Sequence, residues 1–187
     1  MGAGQRLMRE MVIYGVSFDM IGKQPIVLLK TADGNEFLPI WIGHPEAAAI
    51  LMKLQGSAPP RPMTHDLVSD MLEHLDAEVV KVTVTELREN TFYALITLRL
   101  NGSEIEIDSR PSDAIALAVR ADAKIYAADD VIAESAIEFE GDEVDEEQLM
   151  RRPPLSDLDP AEFRKFLDTV TPEDFAAADE PDEDEED

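Results

Sequence analysis

Apolar and polar residues alternate in several short runs of the chain, which is the pattern expected of half-buried β-strands. The predicted strands are Met11–Ser17, Pro25–Thr31, Glu36–Ile42, Glu78–Leu87, Thr91–Leu100, Ser103–Asp108 and Lys124–Ala127. Asp33-Gly34 and Asn101-Gly102 lie between neighbouring runs and favour tight hairpin turns. The strands are therefore expected to pair mainly with their sequence neighbours, in antiparallel fashion.

Helices are predicted where apolar residues recur every three or four positions after a proline or a capping residue. The predicted helices are Ala47–Leu54 opened by His44-Pro45-Glu46, Thr64–Leu75, Ser112–Arg120 opened by Pro111, and a weak stretch near Val131–Ala136. Thr64 is expected to cap the second of these, and Asp66 suits its first turn.

The resulting order is β-β-β-α, then an extra helix, then β-β-β-α again. It predicts an α+β fold with a largely antiparallel sheet built from two β-β-β-α units and an extra helix between them. The two strand-to-helix corners are alike in sequence, and Pro45 and Pro111 occupy equivalent places in them. This likeness indicates an internal duplication, with chance similarity of short units as the alternative.

Charge is unevenly distributed along the 187 residues, whose formal net charge is −25. Residues 141–187 alone hold 19 acidic and 4 basic residues, a net charge of −15. We therefore expect a lead over residues 1–10, a domain over residues 11–140, and an acidic, mostly disordered extension over residues 141–187.

One part of this extension has a helical pattern. Phe163, Phe166, Leu167 and Val170 are spaced for one face of a short helix near residues 160–170. A helix this short is marginal in water on its own. We expect it to dock on the domain or to bind a protein partner in a groove.

Composition narrows the classes of function. The chain has no cysteine, which excludes disulfides, zinc–thiolate sites and thiol nucleophiles. No apolar run approaches the roughly 18–20 residues that a membrane span needs, so a soluble cytoplasmic protein is the simplest interpretation. The acidic balance also argues against a wide basic surface for binding nucleic-acid duplexes.

Four runs of the sequence, in this order and spacing, resemble the bifunctional nuclease domain family. They are Gln24–Leu29, Leu38–Gly43 with Glu46-Ala47, Arg61–Leu67, and Arg110–Ala118. The resemblance covers roughly Met11–Phe139. It implies a compact α+β domain that cleaves both DNA and RNA and that forms a homo-oligomer such as a dimer. It supplies no catalytic residues, which must be sought in the sequence itself.

The strongest candidate site is formed by Asp108, Arg110 and Asp113, at the corner between a strand and a helix. A nuclease needs oxygen ligands for Mg²⁺ or Mn²⁺ and positive charge for the phosphate. Asp108 and Asp113 are predicted as catalytic residues and metal ligands, and Arg110 as a catalytic and substrate-binding residue. The alternative is an ion pair from Arg110 to Asp108 or Asp113 that only fixes the corner.

Two further sets contain the remaining candidates. At the equivalent corner, Glu46 is predicted as a third metal ligand and His44 as a substrate-binding residue, with helix capping as the alternative. Before the extra helix, Arg61 is predicted to bind substrate, and His65 to act as a general base oriented by Asp66 or another carboxylate. Adjacent helical residues do not face each other, which argues against a His65–Asp66 pair.

Trp41 lies on an apolar strand and is predicted in the core or at a subunit interface rather than as a base-stacking platform.

These observations support two hypotheses. The first is a metal-dependent nuclease that acts on DNA and RNA phosphodiesters. The second is a non-catalytic domain that binds an anion or a protein partner, with the acidic extension as a regulator.

Overall fold

A computed structural model of the chain describes residues 7–19, 24–57 and 59–138, all of which belong to one compact unit. The strands are β1 Met8–Asp19, β2 Gln24–Thr31, β3 Glu36–Trp41, β4 Glu78–Arg88, β5 Thr91–Leu100, β6 Ser103–Ser109, β7 Lys124–Ala128 and β8 Ile137–Glu138. The helices are α1 His44–Leu54, α2 Thr64–His74, α3 Pro111–Ala121 and α4 Asp129–Ser135.

The strands form one sheet in the order β6-β5-β4-β7-β1-β2-β3-β8. Two antiparallel meanders, β1-β2-β3 and β4-β5-β6, lie on either side of β7. Strand β7 runs antiparallel to β1 and parallel to β4. The predicted α+β fold with a largely antiparallel sheet is confirmed, and each meander leads into its own helix.

Helices α1 and α3 pack against each other and against the sheet. Both are rich in alanine, which allows close approach, and their buried faces include Ile50, Leu51, Ile115 and Leu117. Helix α2 lies against α3, yet none of its residues is fully buried. Leu67 is one of its residues that stay more than half exposed.

Two helix starts differ by one residue from the sequence-based expectation. Thr64 was expected to cap α2, but Met63 is the capping residue and Thr64 is already helical. The Asp66 carboxylate accepts a hydrogen bond from the Met63 backbone N–H at 2.8 Å and so closes this end. At α1 the capping position belongs to Gly43, and His44 is the first helical residue.

The edge strand β6 also departs from its pattern. Ile105 and Ile107 lie on one face, as the alternation predicted, but they remain 44% and 43% exposed because no further strand or described helix covers this edge. The two-residue strand β8 was not predicted, since so short a run carries no periodicity.

None of the helices in the described parts of the chain is long and apolar enough to cross a membrane. The predicted lead, the extension over residues 141–187 and its helix near residues 160–170 lie outside the described residues, apart from the end of the lead, which belongs to β1.

Candidate active site

Three helix starts each place an acidic side chain in the first turn. These residues are Glu46 in α1, Asp66 in α2 and Asp113 in α3. Acidic residues are favoured there because the unpaired N–H groups of a helix start carry partial positive charge. Local helix chemistry therefore explains why each carboxylate is present, and tertiary packing decides what it contacts.

Arg110, the capping residue of α3, joins two of these carboxylates. Its Nη2 lies 2.7 Å from Oε1 of Glu46, and its Nε lies 2.7 Å from Oδ2 of Asp113. The Arg110 side chain is 66% exposed, whereas that of Glu46 is only 12% exposed. The hydrogen bond to Asp113, followed by that to Glu46, raises the pKa of Arg110 above its ordinary value, so the guanidinium stays charged.

His65 approaches the same site from α2. Its Nε2 lies 2.9 Å from Oδ1 of Asp113, and its side chain is 12% exposed. Burial alone would raise the pKa of Asp113, but hydrogen bonds from Arg110 and His65 outweigh this and lower the pKa. With Asp113 ionised, Nε2 of His65 is the donor, which leaves Nδ1 of a neutral imidazole as an acceptor.

Glu46, His65, Arg110 and Asp113 form what we call the helix-start cluster. It takes members from all three sets of candidates predicted from the sequence. His65 is paired with a carboxylate, as predicted, and that carboxylate is Asp113 rather than Asp66.

The structure does not bring three other predicted residues into the cluster. Asp108 lies exposed on β6 opposite Leu95, and no ion pair joins it to Arg110 among the described residues. The ring of His44 lies 5.9 Å from that of Phe18. Arg61 lines a separate cavity.

Arg120 was missed by the sequence analysis. Its side chain is 5% exposed, and its Nε lies 2.7 Å from Oδ1 of Asp66. It also donates to the carbonyl oxygens of Ala116 in α3 and Ala49 in α1, at 2.8 and 3.2 Å. Arg120, in the last turn of α3, thus connects α3 to the first turn of α2 and to the middle of α1. A basic residue in the last turn of a helix is ordinarily explained by the helix dipole, so no local pattern distinguishes Arg120 as a functional residue.

Gly43 leaves the room that Glu46 occupies. A Cβ atom at position 43 would overlap Oε2 of the Glu46 carboxylate. The backbone of Gly43 is extended, with φ −72°, so the requirement concerns space and not conformational freedom.

The sequence model of the bifunctional nuclease domain family matches residues 27–140, more than half of the chain. The chain belongs to this family. All four residues of the helix-start cluster lie within the matched range, as do Asp66 and Arg120.

Relatives fall into two groups. An uncharacterized protein of Mycobacterium tuberculosis strain H37Rv is 39% identical over 170 residues, which is 91% of this chain and 99% of that protein. Bifunctional nuclease 1 of Oryza sativa subsp. japonica is 33% identical over 98 residues, 50% of this chain and 30% of that protein. Bifunctional nuclease 1 of Arabidopsis thaliana is 32% identical over 100 residues, 51% of this chain and 31% of that protein. The similarity to the plant nucleases therefore covers about half of this chain and about a third of each of those proteins.

A divalent metal was predicted on Asp108, Asp113 and Glu46. Within the described residues, no group of three or more histidine or acidic side chains is placed to hold an ion. Glu46 and Asp113 do converge, through their shared contact with Arg110. Mg²⁺ is often held by one or two carboxylates together with substrate phosphates. Here both carboxylates already have the Arg110 guanidinium as a cationic partner.

Proposed function

We propose that this chain is a nuclease that hydrolyses DNA and RNA phosphodiesters at the helix-start cluster. The observation that carries the proposal is the convergence of Arg110, a paired histidine and two carboxylates at the starts of three helices. Helix starts and arginine both favour phosphate, and a histidine next to a carboxylate suits proton transfer. The family assignment supports this interpretation of the cluster.

Arg110 is assigned to bind the scissile phosphate. Its Nε and Nη2 donate to Asp113 and Glu46, while its Nη1 makes no hydrogen bond with described residues. The two carboxylates fix the plane of the guanidinium, so that the remaining N–H groups face a phosphate without further ordering. Fixed donors of this kind stabilise the charge that develops on phosphate oxygens.

His65 is assigned to accept a proton from the attacking water. Asp113 holds its Nε2–H, so Nδ1 takes the proton while the water oxygen forms a bond to phosphorus. The bond from phosphorus to the leaving oxygen breaks, and that oxygen takes a proton from solvent. Water is the only co-reactant, and no electrons are transferred.

A divalent ion, Mg²⁺ or Mn²⁺, is part of the proposal. Glu46 and Asp113 would hold it jointly with the substrate phosphate. When bound, the ion supplies positive charge to the phosphodiester oxygens. Asp108 lies outside this pair, and its predicted role as a ligand is tested separately below.

The test is cleavage of labelled single-stranded DNA and RNA by the full chain, with Mg²⁺, Mn²⁺ or EDTA. Asp113→Asn and His65→Gln are each expected to lower the rate about 100-fold or more. Asp70→Asn is the matched control, because Asp70 is exposed on the same helix as His65 and outside the cluster. Circular dichroism and urea melts establish that each variant is folded.

The cleavage rate of an Asp108→Asn variant, measured in the same series, decides whether Asp108 contributes to catalysis. Cleavage that is lost in the cluster variants and in EDTA, but kept in Asp70→Asn, supports the proposal. If the Asp113→Asn and His65→Gln variants cleave at the rate of the unaltered chain, these residues belong to an ion-pair network that only anchors the helices. An absence of cleavage under all conditions would favour a non-catalytic domain that binds an anion or a protein.

A further inference from the structure

An open cavity of about 360 Å³ lies beside the helix-start cluster. Its walls come from the end of β3, the β4–β5 hairpin and the start of α3. The volume falls within the range of about 300–1,000 Å³ that small-molecule sites occupy. The residues that line it include Gln24, Trp41, Asn90, Phe92, Arg110 and Ser112.

The charge of this cavity differs from that of the chain. The formal net charge of the protein is −25, yet no acidic residue is among the described residues that line the cavity. Arg110 is the one charged lining residue, and its two carboxylate partners are not part of the wall. Although Glu46 and Asp113 offset the charge of Arg110, only its Nε and Nη2 are used in these ion pairs, and its remaining N–H donors can bind an anionic oxygen in the cavity.

Aromatic side chains line the same cavity. Trp41, predicted in the core or at a subunit interface, is 51% exposed in the chain and forms part of the wall. Phe92 is half-buried on the opposing hairpin. The prediction of a core position for Trp41 is wrong, because Trp41 is the exposed last residue of β3, whereas Leu38 and Ile40 of this strand are buried. Exposed aromatic rings in a polar cavity suit stacking against a planar base.

Polar groups complete the wall. Gln24 and Asn90 bring side-chain amides, which can both donate and accept hydrogen bonds. Ser112 lies in the first turn of α3, beside Arg110, and is 6% exposed. Its hydroxyl can donate a hydrogen bond to a phosphate oxygen in the cavity.

We propose that this cavity binds one unstacked nucleotide of a single-stranded nucleic acid, with its base against Trp41 and its phosphate against Arg110 and Ser112. The inference rests on the proposed function, because Arg110 belongs to both the cavity and the helix-start cluster. It defines the substrate class of that site as single-stranded DNA or RNA. A base held in a duplex is stacked on its neighbours and cannot enter.

Trp41 is the only tryptophan of the chain, so its fluorescence reports directly on the cavity. The full-length protein is titrated in EDTA, which suppresses metal-dependent cleavage, with adenosine monophosphate, ribose 5-phosphate and inorganic phosphate. Stacking predicts quenching by adenosine monophosphate and little change with the two phosphates that lack a base. Anisotropy of labelled ten-residue DNA and RNA strands, single and duplex, measures affinity in parallel.

Trp41→Leu is expected to weaken single-strand binding about 5- to 100-fold, and Trp41→Phe to restore most of the affinity. Arg110→Gln is expected to weaken it as well. The matched controls are Tyr14→Leu, an aromatic residue of similar exposure outside the cavity, and Arg99→Gln, whose partners are Glu78 and Glu104. Both controls are expected to bind like the unaltered chain.

Equal affinity of Trp41→Leu and the unaltered chain would overturn the proposal, as would equal affinity for duplex and single strand. Tryptophan emission that depends on protein concentration but not on nucleotide would instead assign Trp41 to a contact between copies. Binding that depends on Trp41, without any cleavage when metal is added, would refute the nuclease function and leave this inference standing. Cleavage at the same rate with and without Trp41 would leave the nuclease function standing and refute this inference.

Discussion

Arg110 and Glu46 are 64 positions apart in the sequence, and their Nη2 and Oε1 atoms lie 2.7 Å from each other. Arg110 belongs to the strand-to-helix corner of the second β-β-β-α unit, and Glu46 to that of the first. The ion pair therefore joins the two corners whose sequences are alike. Because Asp113 accepts a hydrogen bond from Nε of the same guanidinium, two carboxylates hold one edge of the Arg110 side chain at the surface.

A change at Gly43 tests whether the position of Glu46 matters for activity. Gly43→Ala places a methyl group where the Glu46 carboxylate lies, and that flexible side chain must move away from Arg110. We expect cleavage to fall about 10-fold or more because a phosphate-binding group loses its orientation. Stability should change by less than about 1 kcal/mol, since Gly43 has an ordinary backbone conformation.

The measurement pairs cleavage rates with urea melts. Gly34→Ala is not a suitable control, because its Cβ would also meet neighbouring side chains. Ser57→Ala is better, because Ser57 is exposed beyond the end of α1. A Gly43→Ala protein that cleaves at the normal rate would show that the contact of Glu46 with Arg110 is dispensable.

Arg120 is expected to be a determinant of stability. Arg120→Met removes the partner of Asp66 and leaves a part-buried carboxylate without its cation, which typically costs about 3–5 kcal/mol. The hydrogen bonds to Ala116 and Ala49 are lost at the same time. Equilibrium unfolding in urea measures the effect.

Arg99→Met is the matched change at the surface. Arg99 also has two carboxylate partners, but its side chain is 44% exposed, so the cost should stay within about 0–1 kcal/mol. Adding Asp66→Asn to Arg120→Met should cost less than the sum of the two single changes, because both remove the same pair. Equal effects of Arg120→Met and Arg99→Met would contradict the buried role of Arg120.

The fold was predictable because its elements follow from local patterns. Alternating residues and the turns at Asp33-Gly34 and Asn101-Gly102 gave the hairpins, and proline gave the starts of α1 and α3. The place of β7 between the two meanders was not predictable, since it depends on pairing of strands far apart in the sequence. The same holds for β8, which pairs with β3, a strand about 100 positions earlier in the sequence.

The candidate site was predictable in part for the same reason. Arg110 and Asp113 are three residues apart at a helix start, so their ion pair could be expected from sequence alone. Joining them to Glu46 and His65 required the packing of α1 and α2 against α3. Arg120 escaped notice because a lone basic residue in a last helical turn has an ordinary local explanation.

Acid should weaken the contribution of Asp113 to stability. The hydrogen bonds that outweigh its burial lower its pKa below the ordinary value of 3.8. A carboxyl group with a lowered pKa in the folded state stabilises the fold fully above its unfolded pKa, and loses this contribution as pH falls through the folded pKa. The difference in unfolding free energy between the unaltered chain and Asp113→Asn should therefore be largest at neutral pH.

Urea melts of both proteins at several pH values between about 7 and 3 provide the check. The difference should hold down to about pH 4 and then shrink. Asp66→Asn should behave in the same way, because hydrogen bonds from Met63 and Arg120 outweigh its burial and lower its pKa too. A difference that stays constant over the whole range would show that the charge of Asp113 does not stabilise the fold.

Self-association remains a prediction, and the structure suggests where to test it. Apolar side chains are exposed at the edge strand, at Ile105 and Ile107, and along α2 and its C-terminal capping residue, at Leu67, Met71 and Leu75. Light scattering over a range of concentrations should give a mass above that of one 20.8 kDa chain. Ile107→Lys and Met71→Lys, made separately, should lower it if either surface is used. A constant mass of one chain would refute the prediction.

The acidic extension should inhibit binding and cleavage of nucleic acid. Residues 141–187 carry a net charge of −15, and like charges repel, so the extension should oppose the approach of a nucleic acid to the protein. Removing them should raise affinity and rate most at low salt, because screening at about 0.15 M shortens the range of the repulsion to about 8 Å.

A second, shorter deletion separates the effect of charge from an effect on folding. Removing residues 180–187 alone deletes seven acidic residues and no basic ones. That shorter deletion should give a smaller gain in the same direction and an unchanged melt. Equal rates for all forms at every salt concentration would show that the extension does not act through its charge, and unfolding of the longer deletion would show that the domain needs residues beyond 140.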